Sequence, residues 1–138
     1  MSIVYDRIRV LLRKEMRALS LQESGEMYLE TIYILSLKNP QVRAVNICEY
    51  MGFSKPSVSR AITLLKKEGY IDDASGLDLK LTDKGLAVAK KMYERHTRLT
   101  NALISIGVSP EVAEEDACRI EHVISDETFN CINNIQKN

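Results

Sequence analysis

The chain has 138 residues, 45% hydrophobic and 28% charged, with 19 basic residues balanced by 19 acidic ones. That is the composition of one or two small soluble domains, long enough to bury a core without disulfide staples. The zero net charge speaks against indiscriminate nucleic-acid binding, and the absence of Trp against an aromatic-rich ligand-binding barrel. Cys48, Cys118 and Cys131 are an odd, widely spaced set, which excludes a disulfide framework and points to a reducing compartment, the cytoplasm. No apolar run approaches the roughly 20 residues of a membrane span, and the basic, acid-containing N-terminus lacks the apolar core of a secretory signal. The charge is also unevenly spread. Lys55, Arg60, Lys66 and Lys67 stand without an acid among them, whereas Glu111, Glu114, Glu115, Asp116, Glu121, Asp126 and Glu127 face only Arg119. One face suits phosphate and another suits something cationic.

In chain order, Ile3, Val4, Ile8, Leu11, Leu12 and Met16 recur at helical spacing, so the spacing predicts an extra N-terminal helix over 3–18. A second helix is expected from about 26 to 38, with Leu29, Ile32, Tyr33 and Leu35 apolar and Asn39-Pro40 as its stop. A short helix follows over 42–51 and ends at Gly52. Ser54 is a good N-cap for the next helix, Pro56 fits its first turn, Val58, Ile62 and Leu65 form its inner face, and Gly69 closes it. The period then changes. Residues 70–73 and the alternating 77–81 flank Ala74-Ser75-Gly76, which predicts a small β-hairpin. Thr82 caps a long helix over about 83–106, Ser109-Pro110 opens one over about 110–123, and Ser125 caps a last one from 126.

Two short helices joined by a tight turn and followed by a hairpin make a winged helix-turn-helix, whose second helix enters the major groove of DNA. The fold class expected is therefore mainly α with a small β-hairpin wing. Its reading helix opens with Ser54, Lys55, Pro56, Ser57, Ser59 and Arg60. The small hydroxyls approach phosphates closely, Lys55 neutralises a phosphate, Arg60 suits a guanine edge and Pro56 a thymine methyl. The alternatives are a small helical domain with a capped, charged helix and no DNA role, or a winged helix that binds protein.

A second constellation lies in the acidic half. On a helix Cys118, Glu121 and His122 stand at i, i+3 and i+4 and share a face, so thiolate, carboxylate and imidazole converge. His96, on the preceding helix, is the only other histidine, and Met27 and Glu30 share a face of the second helix. Read alone, the same residues fit a buried cysteine beside a surface Glu–His pair, a core methionine and a solvated acid. An enzyme is not expected, because no separate nucleophile, general base or Gly-rich phosphate loop accompanies the set. A regulator of the same fold that senses a small molecule, or a redox state through Cys118 and Cys131, is the remaining alternative.

The pieces Glu26-Met27-Tyr28-Leu29-Glu30-Thr31-Ile32-Tyr33, Ser54-x-Pro56-Ser57-Val58-Ser59, Leu81-Thr82-x-x-Gly85, His96 and Cys118-Arg119-x-Glu121-His122-Val123-x-Ser125-Asp126 occur in one order over 23–130. In this the sequence resembles the diphtheria-toxin-repressor and manganese-transport-regulator family of metal-dependent repressors. The resemblance implies a homodimer on a palindromic operator, with a winged helix-turn-helix domain over 21–82 and a metal-binding and dimerisation domain over 83–138; the extra helix of residues 1–20 lies outside it. It implies metal ligands at Met27, Cys118, Glu121 and His122, as in the iron-responsive branch. It adds Glu30 as in the manganese branch, and His96 in a neighbouring site. Thr100 and Glu114 stand where that neighbouring site has other ligands in the iron branch; Glu114 can still ligate. Sulfur at 27 and 118 favours Fe(II), with Mn(II) next. With the chain ending at Asn138, a two-domain architecture like that of the manganese regulators is expected.

Overall fold

A computed structural model describes residues 21–137; the helix expected over 3–18 lies outside them. The described helices are α1 Leu21–Lys38, α2 Ala44–Met51, α3 Lys55–Lys67, α4 Asp83–Ser105, α5 Pro110–Ile120 and α6 Asp126–Lys137. The first begins earlier than its sequence suggests, because Ser24 and Gly25 lie inside it rather than ahead of it. A helical glycine costs about 1 kcal/mol. Burying Tyr28, Leu29 and Ile32 on the same helix offsets that several times over, at about 1.5–3 kcal/mol each.

The eight residues of α2 are too few to hold a helix in isolation. Packing of Ile47 and Met51 into the core with Val58, Ile62 and Leu65 of α3 supplies the missing stability. Between them Gly52 adopts φ 70° and ψ 26°, the left-handed region, and its N–H donates to the Cys48 carbonyl at 2.8 Å. Ser54 then caps α3, its Oγ accepting from the Ser57 N–H at 3.3 Å, with Pro56 in the first turn. The tight turn between α2 and α3 thus rests on one glycine and one serine.

The hairpin expected after α3 does not form as a two-stranded ladder. No strand is present among the described residues; the two arms meet at one antiparallel bridge, Ile71 with Leu81. Hydrogen bonds from Asp72 N–H to the Lys80 carbonyl (2.8 Å) and from Thr82 N–H to the Tyr70 carbonyl (3.1 Å) flank it. The Asp72 carboxylate then accepts from the Ala74 N–H at 3.0 Å and turns the chain into a 3-10 helix, Asp73–Ser75, which ends the pairing. On the other arm the Leu79 N–H donates to Val42 at 2.7 Å, so that arm is tied to the loop before α2 instead. An ion pair between Arg43 and Asp78 at 3.1 Å reinforces the same connection.

The long α4 runs from this lobe into the C-terminal one. Its cap is Thr82, which accepts from the Gly85 N–H and donates to the Gly69 carbonyl. Gly85 allows the close approach: a Cβ there would stand 2.0 Å from the Tyr70 carbonyl oxygen. Farther along, α4 packs broadly against α1 and α5. Met92, Leu99 and Ala102 of α4 are buried, as are Ala113 and Ala117 of α5, whose small side chains admit a close helix pair. The last helix, α6, is capped by Ser125, whose Oγ accepts from the Thr128 N–H at 3.1 Å. It too packs on α4, through Arg98 to Asn133 at 2.8 Å among other contacts. No helix of the described residues is long and apolar enough to cross a membrane.

Candidate metal centre and DNA-reading helix

Where α1, α4 and the end of α5 meet, two groups of potential ligands share one carboxylate. His96, Cys118 and Glu121 form one; Glu30, Glu121 and His122 form the other, with the donor atoms of each group within 4.8 Å of one another. Glu121 is only 1% exposed. A lone carboxylate at that depth is costly unless paired, and two imidazoles flank it: Oε2 lies 2.9 Å from His96 Nδ1 and Oε1 3.2 Å from His122 Nε2. His122 Nε2 also faces Glu30 Oε2 at 3.9 Å, and its Nδ1 faces Glu26 Oε1 at 3.8 Å. The imidazole, in the turn after α5, is therefore held between α1 and the neighbouring Glu121.

The protonation of the cluster follows from this crowding. Burial, and then the charge of Glu121, pushes the Glu30 carboxyl up to about 10. Burial would also raise Glu121, but the adjacent imidazoles of His122 and His96 outweigh it and hold Glu121 below the ordinary carboxylate range. Burial works against protonated His122, yet Glu121 and Glu26 carry it up to about 10. The same contest, won by Glu121, raises His96. Burial, then the charges of Glu121 and Glu30, lifts the Cys118 thiol well above its usual range. The cluster thus favours protons on Glu30 and His122 and a bare Glu121.

Glu121 Oε1 and both ring nitrogens of His122 are buried without a hydrogen-bond partner. Unpaired buried polar atoms of this kind fit a divalent cation once the imidazole gives up its proton, and oxygen, nitrogen and sulfur ligands together suit a first-row transition metal. Of the residues singled out from sequence, the structure gathers Glu30, His96, Cys118, Glu121 and His122. Met27 is buried three residues before Glu30, with the core of the N-terminal lobe; its carbonyl accepts from Thr31 at 2.9 Å. Glu114 is half-buried and belongs to neither triad; its charge acts on His96 and Cys118. Glu26 was not singled out, although it stands one turn before Glu30; only the fold reveals that it faces His122.

The other candidate surface is the N-terminal half of α3. Ser54, Lys55, Pro56, Ser59 and Arg60 are exposed and Ser57 is half-buried, while Val58, Ile62 and Leu65 on the opposite face are in the core. The Ser54 and Ser57 hydroxyls bond each other at 2.8 Å, which keeps the first turn compact. Thr63, one turn beyond Ser59, extends the exposed face.

Comparison with known proteins places this geometry in a family. Residues 20–75 match the N-terminal DNA-binding domain of the iron-dependent repressors, and residues 82–138 match their metal-binding and dimerisation domain. The chain is 32% identical to the transcriptional regulator MntR of Salmonella typhimurium over 116 residues, which covers 84% of this chain and 74% of that one. It is 33% identical to the iron-dependent repressor IdeR of Mycobacterium bovis over 108 residues, covering 78% of this chain and 47% of that one. The solved structure of the manganese regulator SloR superposes with a TM-score of 0.72 at 26% identity, covering 82% of this chain and 53% of that one. The chain thus spans about half the length of that structure. Both domains of one class, DNA-binding repressors that depend on a metal ion, are present. The chain belongs to the iron-dependent repressor family.

Proposed function

We propose that this chain is a metal-activated repressor of transition-metal homeostasis, in which the ion is held by Glu30, His96, Cys118, Glu121 and His122. The carrying observation is the shared, fully buried Glu121 between two imidazoles, with its Oε1 and both His122 nitrogens unpaired. Met27, three residues before Glu30 on α1, and Glu114, four residues before Cys118 on α5, are the further ligands this reading includes. The bound ion supplies positive charge at a pocket where α1, part of the DNA-reading lobe, meets α5. Glu30 stands on the first and Glu121 and His122 just past the end of the second, so a cation that both lobes ligate favours one arrangement of the two. By linkage, a cation that prefers the DNA-competent arrangement increases its population. The reading lobe is 21–82 and the metal and dimer lobe 83–138, acting as a homodimer on a palindromic operator. Ser54, Lys55, Pro56, Ser57, Ser59 and Arg60 meet the DNA. Val123, exposed, and Ile124, Phe129 and Ile132, half-buried, are the dimer surface. The site of action is the cytoplasm.

The sulfur of Cys118 favours Fe(II). Mn(II) is the second reading, because the Glu30–Glu121–His122 triad offers only oxygen and nitrogen. The test is anaerobic fluorescence anisotropy on the DNA upstream of the chain's own gene, with chelator, Fe(II) or Mn(II), for wild type and Cys118→Ala. Activation by Fe(II) that the variant loses supports the first reading. Activation by Mn(II) that survives in the variant supports the second. Equal binding with chelator and with either metal removes the metal switch.

A further inference from the structure

Glu121 and His122 stand just past the end of α5, where helix carbonyls run out of intrahelical donors. A side chain from another helix supplies them. Arg95, in the middle of α4 and 7% exposed, donates from Nη1 to the Ile124 carbonyl at 2.9 Å and to the Glu121 carbonyl at 3.3 Å. Its Nη2 pairs with the Asp126 carboxylate in the first turn of α6, and the guanidinium lies 5.1 Å above the Phe129 ring. The next residue, His96, holds the Glu121 side chain at 2.9 Å. Helix α4 therefore grips Glu121 twice, by its backbone through Arg95 and by its carboxylate through His96.

From this, and resting on the metal reading above, we propose that Arg95 is a positioning residue of the metal centre: its fork fixes the turn that presents Glu121 and His122 and ties that turn to α6. A buried guanidinium is expensive to keep, and an apolar side chain would fill the space between helices at least as well. What an apolar residue cannot do is bind two carbonyls and a carboxylate from one rigid plane. Loss of a group that orients metal ligands in this way typically costs about 10–100-fold in metal affinity. Through Asp126 the same cation also sets the start of α6, which carries Phe129 and Ile132 of the proposed dimer surface. Order at the metal site and the placement of α6 thus share one residue.

The test uses the full chain with Co(II) as an anaerobic optical probe, for wild type, Arg95→Gln, Arg95→Lys and Asp126→Asn. Arg95→Gln is expected to weaken Co(II) binding about 10–100-fold and to shift the ligand-field bands at saturation, which loss of stability alone does not do. Arg95→Lys keeps the charge but not the fork, and is expected to recover thermal stability while leaving affinity and spectrum only partly restored. Asp126→Asn, at an exposed position, is expected to shift both in the same direction by less. Wild-type affinity and spectrum in every folded Arg95 variant overturn the proposal, as does full recovery of both in Arg95→Lys. If Arg95→Gln does not fold, the Lys and Asn variants decide by the same criteria. A wild type that binds no Co(II) overturns the metal reading itself, and the positioning role with it.

Discussion

Filling the Glu30–Glu121–His122 triad with a cation should expel protons, because burial and charge in the cluster favour the protonated forms of Glu30 and His122. Near neutral pH Glu30 holds a proton, because burial and Glu121 push its carboxyl up to about 10. His122 holds one as well, because Glu121 and Glu26 overcome burial and carry it up to about 10. Glu121 holds none, since the imidazoles keep it below the usual range. A metal ligand must be bare, so two protons leave with each ion that enters this triad. Log K for Mn(II), an oxygen- and nitrogen-seeking probe, should therefore climb by about two units per pH unit between roughly pH 6 and 8. In Glu30→Gln the climb should fall to about one unit per pH unit. Engagement of Cys118, whose thiol is also raised, would steepen it beyond two. Isothermal titration calorimetry at several pH values, in buffers of different ionisation heat, measures the affinity and the proton count independently. A Mn(II) affinity that stays flat over that pH range, with no proton release, would refute the reasoning.

Three further outcomes follow from other parts of the molecule. With chelator present, the apo fold should lose stability as pH rises. Glu30 and His122 have folded values near 10 against ordinary values of 4.5 and 6.5, so their contributions are full below those values and vanish as pH passes about 10. Glu121, already ionised in both states, is neutral over that window; scanning calorimetry should find Tm falling from pH 7 to 9.5, and a rise would contradict the assignment. Gly85→Ala would put a Cβ 2.0 Å from the Tyr70 carbonyl oxygen, a clash with backbone that should cost about 1–3 kcal/mol and lower Tm by several degrees; an unchanged Tm would show that the start of α4 yields. On DNA, Lys55→Ala should weaken binding evenly across sequences and reduce the salt slope by about one per subunit, whereas Arg60→Ala should cost about 1–3 kcal/mol and relax sequence preference. Competition binding at two salt concentrations separates them, and identical behaviour of the two variants would undo their assigned roles.

How much of this could be read from the chain depended on whether the signal was local. The reading helix was legible because its cap, its first-turn proline and its apolar face all lie within 54–65, and Gly52 marked the turn before it. Cys118, Glu121 and His122 were legible because helical spacing alone puts them on one face. The wing was misjudged, since alternation at 77–81 predicts a ladder while the Asp72 side chain and the Leu79–Val42 hydrogen bond, one local and one tertiary, divert both arms. The start of α1 was set too late because Ser24-Gly25 reads as a break until the packing behind it is known. Glu26 and Arg95 were invisible for a different reason: their partners lie 96 and 26–31 residues away in sequence, on other helices or just beyond them. No spacing rule connects such pairs. The sequence also brought Met27 and Cys118 forward as sulfur ligands; the fold sets Cys118 beside His96 and Glu121, and buries Met27 three residues before Glu30 on α1.

The central claim is that the buried cluster around Glu121 makes DNA binding depend on a metal ion. Its most direct test is the affinity of wild type and Glu121→Gln for the upstream DNA, each with saturating Mn(II) or Fe(II) and with chelator, after circular dichroism has shown both proteins to be folded. The expected result is tight, metal-dependent binding by wild type and a metal-independent, weak affinity for the variant, since Glu121 is the one residue both triads share. A variant that still tightens on DNA when metal is added would contradict the account.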